Sequence, residues 1–273
     1  MNQYRPSGFS MLPPVVKNLL IINILFFFAT YAVSSAFNMD LSEMLGLYYF
    51  ESEKFKIYQY LTYMFMHAGF SHIFFNMFAL WMFGKILENV WGPKRFLIYY
   101  FVTGLGAAAI HTLVSWWSIS GMMTDLEIFR NTPSPELFAA FIDSHLSNPN
   151  PQLFDFINEW SLAPQDSAFI SQATDLAQRI TDVRLNVPTV GASGAVFGVL
   201  LAFGMLFPNS VLYIYFAIPI KAKYFVMIYG AIELFMGISN NPSDNVAHFA
   251  HLGGMLFGFF LIRYWKNNQF REG

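Results

Sequence analysis

Runs of apolar residues about as long as a bilayer is thick recur along this 273-residue chain, and they restrict it to folds in which helices cross a membrane. Counting about 20 apolar residues as one crossing gives six candidate spans, at 18–37, 61–83, 95–117, 189–207, 223–238 and 246–265. Composition agrees, because 55% hydrophobic and 12% charged residues are too apolar for a soluble domain. The first run follows Lys17 without a small-residue cleavage site and reads as a retained signal-anchor helix. The stretch 211–220 is apolar but too short to span, and is expected to skim the interface between the fourth and fifth spans. A net charge of −2 carries no footprint for a nucleic-acid partner. The lack of cysteine excludes disulfides, thiolate catalysis and cysteine-bound metal.

Lysine and arginine set the expected orientation. With the N-terminus cytoplasmic, the inner segments hold Arg5, Lys17, Lys85, Lys94, Arg95, Lys221, Lys223, Arg263, Lys266 and Arg271, against Lys54, Lys56, Arg130, Arg179 and Arg184 outside. Both termini are therefore expected in the cytoplasm. The chain divides into spans one to three (1–117), an outer acidic insert (118–187), and spans four to six with a cytoplasmic tail (188–273). The insert carries nine acidic and three basic residues and is too long for a structureless loop. Ser134-Pro135-Glu136 has the order of a helix start, with Leu137, Phe138, Phe141 and Ile142 following at helical spacing. Leu153 to Trp160 and Phe169 to Ile180 offer two further apolar faces. A small helical subdomain is expected there, with a loosely ordered spacer as the alternative.

Chemistry concentrates in three spans. Gly191-Ala192-Ser193-Gly194-Ala195-Val196-Phe197-Gly198 opens the fourth; small residues at Gly194 and Gly198 suit close helix packing, and by itself the serine could serve packing alone. In the second, His72 and Asn76 lie four residues apart, on one helix face, and could act as neutral donors or merely bridge helices. In the sixth, His251, Gly254 and Gly258 fall at i, i+3 and i+7. If that face meets the Gly194 and Gly198 face of span four, His251 reaches Ser193 at hydrogen-bonding distance, a nucleophile with its base. Ser193 follows Pro188 by five residues, which in a helix places it roughly 8 Å inside the span.

With these residues in this order, the chain resembles the rhomboid intramembrane serine proteases, whose hallmarks are HxxxN in the second span, GxSG in the fourth and AHxxGxxxG in the sixth. Here they read His72-Ile-Phe-Phe-Asn76, Gly191-Ala-Ser193-Gly194 and Ala250-His251-Leu-Gly-Gly254-Met-Leu-Phe-Gly258. The resemblance implies an all-α bundle of six transmembrane helices, with 118–187 inserted between the third and fourth. It implies that Ser193 attacks the scissile carbonyl while His251 acts as general base and then general acid. His72, Asn76 and the Ser193 backbone N–H would stabilise the oxyanion. Phe197 would support the imidazole, and Gly191, Gly194, Gly254 and Gly258 would bring the elements together. No aspartate completes a triad, so a dyad is expected, its ring oriented by packing. Substrates would be transmembrane proteins cut within the lipid bilayer near its outer face, without cofactor or metal, and the expected location is a bacterial inner membrane. Span five and the loop from Gly237 to Asn245, with Asn240, Asn241 and Pro242, would form a gate.

Other residues take lesser roles. His248 lies one turn before His251 but lacks glycines at +3 and +7, so it is expected to be structural, as is a hydrogen bond from His67. Glu88, four residues after Gly84, is expected to make a buried structural bond. Tyr58-Gln59 stands where the family has a Trp-Arg pair, and Glu233 has no counterpart. Three rival readings are a rhomboid-like, non-catalytic client-binding protein, a transporter, and a metal site on His248 and His251. The last lacks both HExxH and an acidic partner set.

Overall fold

A computed structural model describes residues 12–146, 148–214, 217–239 and 247–269. Helix α1 (Pro14–Phe37) leads through short α2 (Leu41–Leu45), α3 (Gln59–Thr62) and a 3-10 turn at Tyr63–Phe65 into α4 (Phe70–Ala79). A π turn at Leu80–Gly84 carries α4 on into α5 (Lys85–Trp91), making one helical rod, Phe70–Trp91. Gly92, at φ 80°, breaks this rod from α6 (Pro93–Asn131), a conformation that glycine adopts without the penalty a Cβ brings. Then come α7 (Pro135–His145), α8 (Pro151–Leu162), α9 (Ser167–Leu185), α10 (Ser193–Leu206), the strands β1 (Val211–Ile214) and β2 (Ile218–Lys221), α11 (Ala222–Ser239) and α12 (His248–Gln269). Prolines in the first turns of α1, α6, α7 and α8 sit where a missing N–H breaks no helical bond.

Among the described residues, four helical stretches are long and apolar enough to cross a membrane: Pro14–Phe37, Phe70–Trp91, Pro93–Asn131 and Ala222–Ser239. Of the other two expected spans, α10 is apolar but only 14 residues long. Helix α12 has 22 residues but carries His248, His251, Arg263 and Lys266. Span two begins at Phe70, nine residues later than expected, because the chain turns at Met66–Gly69 first. The stretch expected to skim the interface pairs with itself as an antiparallel hairpin, Val211 opposite Lys221 and Leu212 opposite Ile220.

Helix α10 is the centre of the bundle, buried at ten of its positions from Gly194 to Gly204. Glycines let its neighbours approach: a Cβ on Gly194 would strike Ala107 of α6, one on Gly198 would lie 2.6 Å from Thr103 of α6, and one on Gly254 of α12 would strike the Gly194 carbonyl oxygen. Helix α1 lies outside, exposing Ile21, Leu25 and Phe28, yet its start is fixed. The buried Glu88 carboxylate accepts the N–H groups of Val15 at 2.9 Å and Val16 at 2.8 Å, which no helical carbonyl reaches.

The expected boundary at residue 117 does not interrupt the backbone, since α6 continues to Asn131. Beyond it, Met122, Leu126 and Phe129 of α6 form a second core with Phe138, Phe141 and Ile142 of α7, Ile157 and Trp160 of α8, and Ala173 and Ala177 of α9. The Ser134 hydroxyl accepts the Leu137 N–H at 3.2 Å and caps α7. This packed helical unit is the opposite of a loose spacer. Glu88→Ala removes a charged acceptor from two buried donors and should lower stability by about 2 kcal/mol or more. Unfolding of the detergent-solubilised protein against the native chain checks this.

Candidate active site

The residues before α10 are extended, and they are pinned from three sides. Leu47 and Thr189 exchange both backbone hydrogen bonds, at 2.9 and 2.8 Å. The Thr189 hydroxyl lies 2.7 Å from His111 Nε2 of α6. The Gly191 N–H donates to the Tyr63 carbonyl at 2.9 Å. Gly191 has φ 135°, which an L side chain rarely adopts, and a Cβ there would also lie 2.8 Å from the His72 ring. The chain then enters α10 at Ser193, with no side chain capping the helix. Ser193 therefore sits in the first turn, where backbone N–H groups lack helical acceptors and the helix dipole is positive. The depth expected from five helical residues after Pro188 does not apply, because that segment is not helical.

The structure brings Ser193 and His251 together: the hydroxyl lies 2.8 Å from Nε2 of the buried imidazole. Phe197, one turn beyond Ser193, stacks on that imidazole with centroids 4.1 Å apart and planes 5° from parallel. Phe197 stacks with Tyr229 of α11 as well, at 5.0 Å. The expectation that packing alone orients the ring is corrected here. Glu233 of α11 is 5% exposed, and its Oε2 accepts from His251 Nδ1 at 2.8 Å and from His248 Nδ1 at 2.7 Å. A carboxylate facing Nδ1 fixes the proton on that nitrogen and leaves Nε2 to accept from the serine hydroxyl.

His72 stands beside this pair, its Nε2 2.8 Å from the point a Gly191 Cβ would occupy, which itself lies 3.4 Å from Ser193 Oγ. Its Nδ1 faces the Ala68 N–H at 3.4 Å, which favours the proton on Nε2, toward Ser193. One turn on, Asn76 is buried and its Nδ2 has no hydrogen-bond partner among the described residues. An amide donor left open in a buried place calls for an explanation, and a ligand oxygen is one. His67 is buried and interacts with the Phe65 backbone, although neither ring nitrogen has a well-aligned hydrogen-bond partner among the described residues. Its ring packs edge-to-face on His72 at 5.1 Å.

The glycine seam differs in part from expectation. Gly254 does meet Gly194, but Gly198 and Gly258 both turn toward α6, Gly198 against Thr103 and Gly258 against Thr103 and the Tyr99 hydroxyl, which donates to the Gly198 carbonyl at 2.8 Å. Three helices, not two, close around Ser193. Gln59 of the Tyr58-Gln59 pair is 1% exposed and knots the first loop, donating to the Lys54 carbonyl at 3.0 Å and accepting the Lys56 N–H at 3.0 Å. His111 was not singled out in the sequence, and Glu233 was singled out there without a role. The signal for Glu233 was the lone acidic residue of the apolar run 223–238. The gate residues Asn240, Asn241, Pro242 and the loop to Asn245 lie outside the described residues, while Gly237 belongs to α11.

Comparison with known proteins places this chain in a family. The Rhomboid domain model matches residues 54–121 and 167–267, leaving out the end of α6 and the whole of α7 and α8. An uncharacterized mitochondrial rhomboid protein of Schizosaccharomyces pombe is 26% identical over 223 residues, 75% of this chain and 50% of that protein. A chloroplastic rhomboid-like protein of Arabidopsis thaliana is 41% identical over 59 residues, 22% of this chain and 20% of that one. The matched part thus spans half or less of these relatives' own length. Neither comes from a bacterial inner membrane; what the comparisons and the apolar helices establish is an integral membrane protein. With more than half of its length matched by the family model, the chain belongs to the rhomboid family.

Proposed function

We propose that this rhomboid protein is an intramembrane serine endopeptidase in which Ser193 is the nucleophile and His251 its base. The observation that carries this reading is the 2.8 Å contact between Ser193 Oγ and His251 Nε2, held by the ring of Phe197. In the acylation step, Ser193 Oγ adds to the carbonyl carbon of the scissile bond as its proton passes to Nε2. The leaving amine takes that proton from the imidazolium when the C–N bond breaks. Water then repeats the sequence on the acyl-enzyme. The oxyanion meets the uncapped N-terminus of α10, His72 Nε2–H and the open amide of Asn76. A client-binding protein has no use for a serine and imidazole in this register.

Span lengths accord with hydrolysis below the membrane surface. Helix α10, with 14 residues, is roughly 21 Å long, short of the ~30 Å hydrocarbon layer. With its far end level with the other helices, Ser193 is recessed, where it needs water from one side. In this reading α1, the α4–α5 rod, the first part of α6, α10, α11 and α12 are the six spans. The insert 118–187, with the second core that begins at Met122 of α6, lies outside the membrane, on the face where Ser193 is recessed. The start of α1 and the end of α12 lie on the opposite side, and the substrates are membrane proteins whose helices unwind at the cut.

Cleavage of a reporter with a helix-destabilised transmembrane segment, in liposomes holding the purified chain, tests the activity. The native protein should cut it, and Ser193→Ala and His251→Ala should not. Cleavage lost in His248→Ala but kept in His251→Ala would contradict the assignment of the base. Asn76→Ala and His72→Ala should each lower kcat about 10²- to 10³-fold, the usual cost of one oxyanion donor. Rates within threefold of native would remove them from that role. Orientation is testable because the chain has no cysteine. In sealed vesicles of one orientation, an impermeant maleimide should label Glu159→Cys and Lys94→Cys from opposite sides, and labelling of both from one side would refute the topology.

A further inference from the structure

Helix α11 shows its apolar side chains outward. Tyr224, Met227, Ile228, Ile232, Phe235 and Ile238 are all exposed, whereas Ala222, Val226 and Glu233 turn inward. A carboxylate on the inner face of such a helix is costly unless it is fully partnered. Glu233 is met by two imidazoles, His251 Nδ1 at 2.8 Å and His248 Nδ1 at 2.7 Å, both on the same oxygen. The first of these rings continues through Nε2 to Ser193 Oγ, so carboxylate, imidazole and hydroxyl stand in series across three helices: α11, α12 and α10.

We propose that Glu233 is the positioning carboxylate of the serine site, acting through His251, and that His248 is the second donor that holds this carboxylate in place. The inference rests on the protease reading above. Glu233 remains ionised throughout. It keeps the Nδ1 proton on His251, so that Nε2 is free to accept the serine proton, and it faces the imidazolium that forms when the proton arrives. No proton passes to the carboxylate. Because Glu233 belongs to a different helix from both Ser193 and His251, the series is complete only while α11 is packed against α12. A displaced α11 leaves the serine with an unoriented base. The same three residues have ligand atoms within 4.8 Å of one another, the spacing of a metal cluster, and Glu233 supplies the acidic partner that the two histidines lacked in the sequence. The direct separations of 2.7 and 2.8 Å are those of hydrogen bonds. Tetrahedral ligands at ~2 Å from a zinc ion stand about 3.3 Å apart.

The experiment measures kcat and KM of the reporter reaction in liposomes for Glu233→Gln, Glu233→Asp and His248→Gln, with the unfolding midpoint of each. Glu233→Gln is expected to lower kcat by about 10²-fold or more, as a misplaced tautomer does in serine proteases, with KM within about threefold and the midpoint little changed. Glu233→Asp should regain at least about tenfold of that loss, and His248→Gln should stay within about tenfold of native, since His251 keeps its acceptor. Should Glu233→Gln fail to fold, Glu233→Asp carries the test, through an intermediate kcat at unchanged KM. Native kcat in Glu233→Gln, with Ser193→Ala inert, would overturn the inference and leave the protease reading standing. So would a loss that follows the unfolding midpoint and is not relieved by aspartate, which marks a purely structural clamp. Activity removed by a chelator and restored by zinc would reassign the cluster to a metal. A native chain that cuts no reporter would overturn the protease reading and this inference with it.

Discussion

Backbone-to-backbone approach of α10 and α12 at Gly194 and Gly254 is the constraint on which the rest of the site depends. A Cβ on Gly254 would collide with the Gly194 carbonyl oxygen, so any other residue forces the helices apart. His251 reaches Ser193 from one turn away because that gap is closed. Helix α6 closes the third side through Ala107 and Thr103, and the Tyr99 hydroxyl occupies a carbonyl on α10 that a small-residue helix leaves accessible. Dispersion between closely fitted surfaces is what holds helices together where the surroundings are themselves apolar.

The same surroundings make each buried polar group a structural commitment, because no water is at hand to satisfy it. Glu88 fixes the start of α1, Gln59 ties the first loop, and Glu233 aligns two histidines. These three serve as fasteners on an apolar frame. Asn76 Nδ2 is among the buried polar atoms left without a partner within the described residues, and it lies one turn from His72. In the proposed protease such an unfilled donor beside His72 would meet the developing oxyanion.

Much of the core was legible in the sequence, since its signals are local or periodic. The registers of His72 with Asn76 and of His251 with Gly254 follow from helix geometry, and Ser134-Pro135-Glu136 marks a helix start by its own chemistry. The end of α6 was not legible, because a hydropathy reading follows contact with lipid. Apolarity falls near Ser118 while the helix runs on to Asn131. The partners of Glu233 were hidden for another reason: they lie 15 and 18 residues away, and finding them requires knowing which face of α11 turns inward. Gly198 and Gly258 have the same spacing whether they face each other or α6, so only the packed structure separates the two.

The central claim is that His251 activates Ser193, and covalent capture tests it without a known substrate. The membrane-embedded native chain would be treated with a fluorophosphonate, digested, and mapped by mass spectrometry. The account predicts an adduct on Ser193 that is lost when His251 is replaced by alanine while the variant remains folded. A folded native chain without an adduct on Ser193, or one labelled equally well without His251, would contradict it.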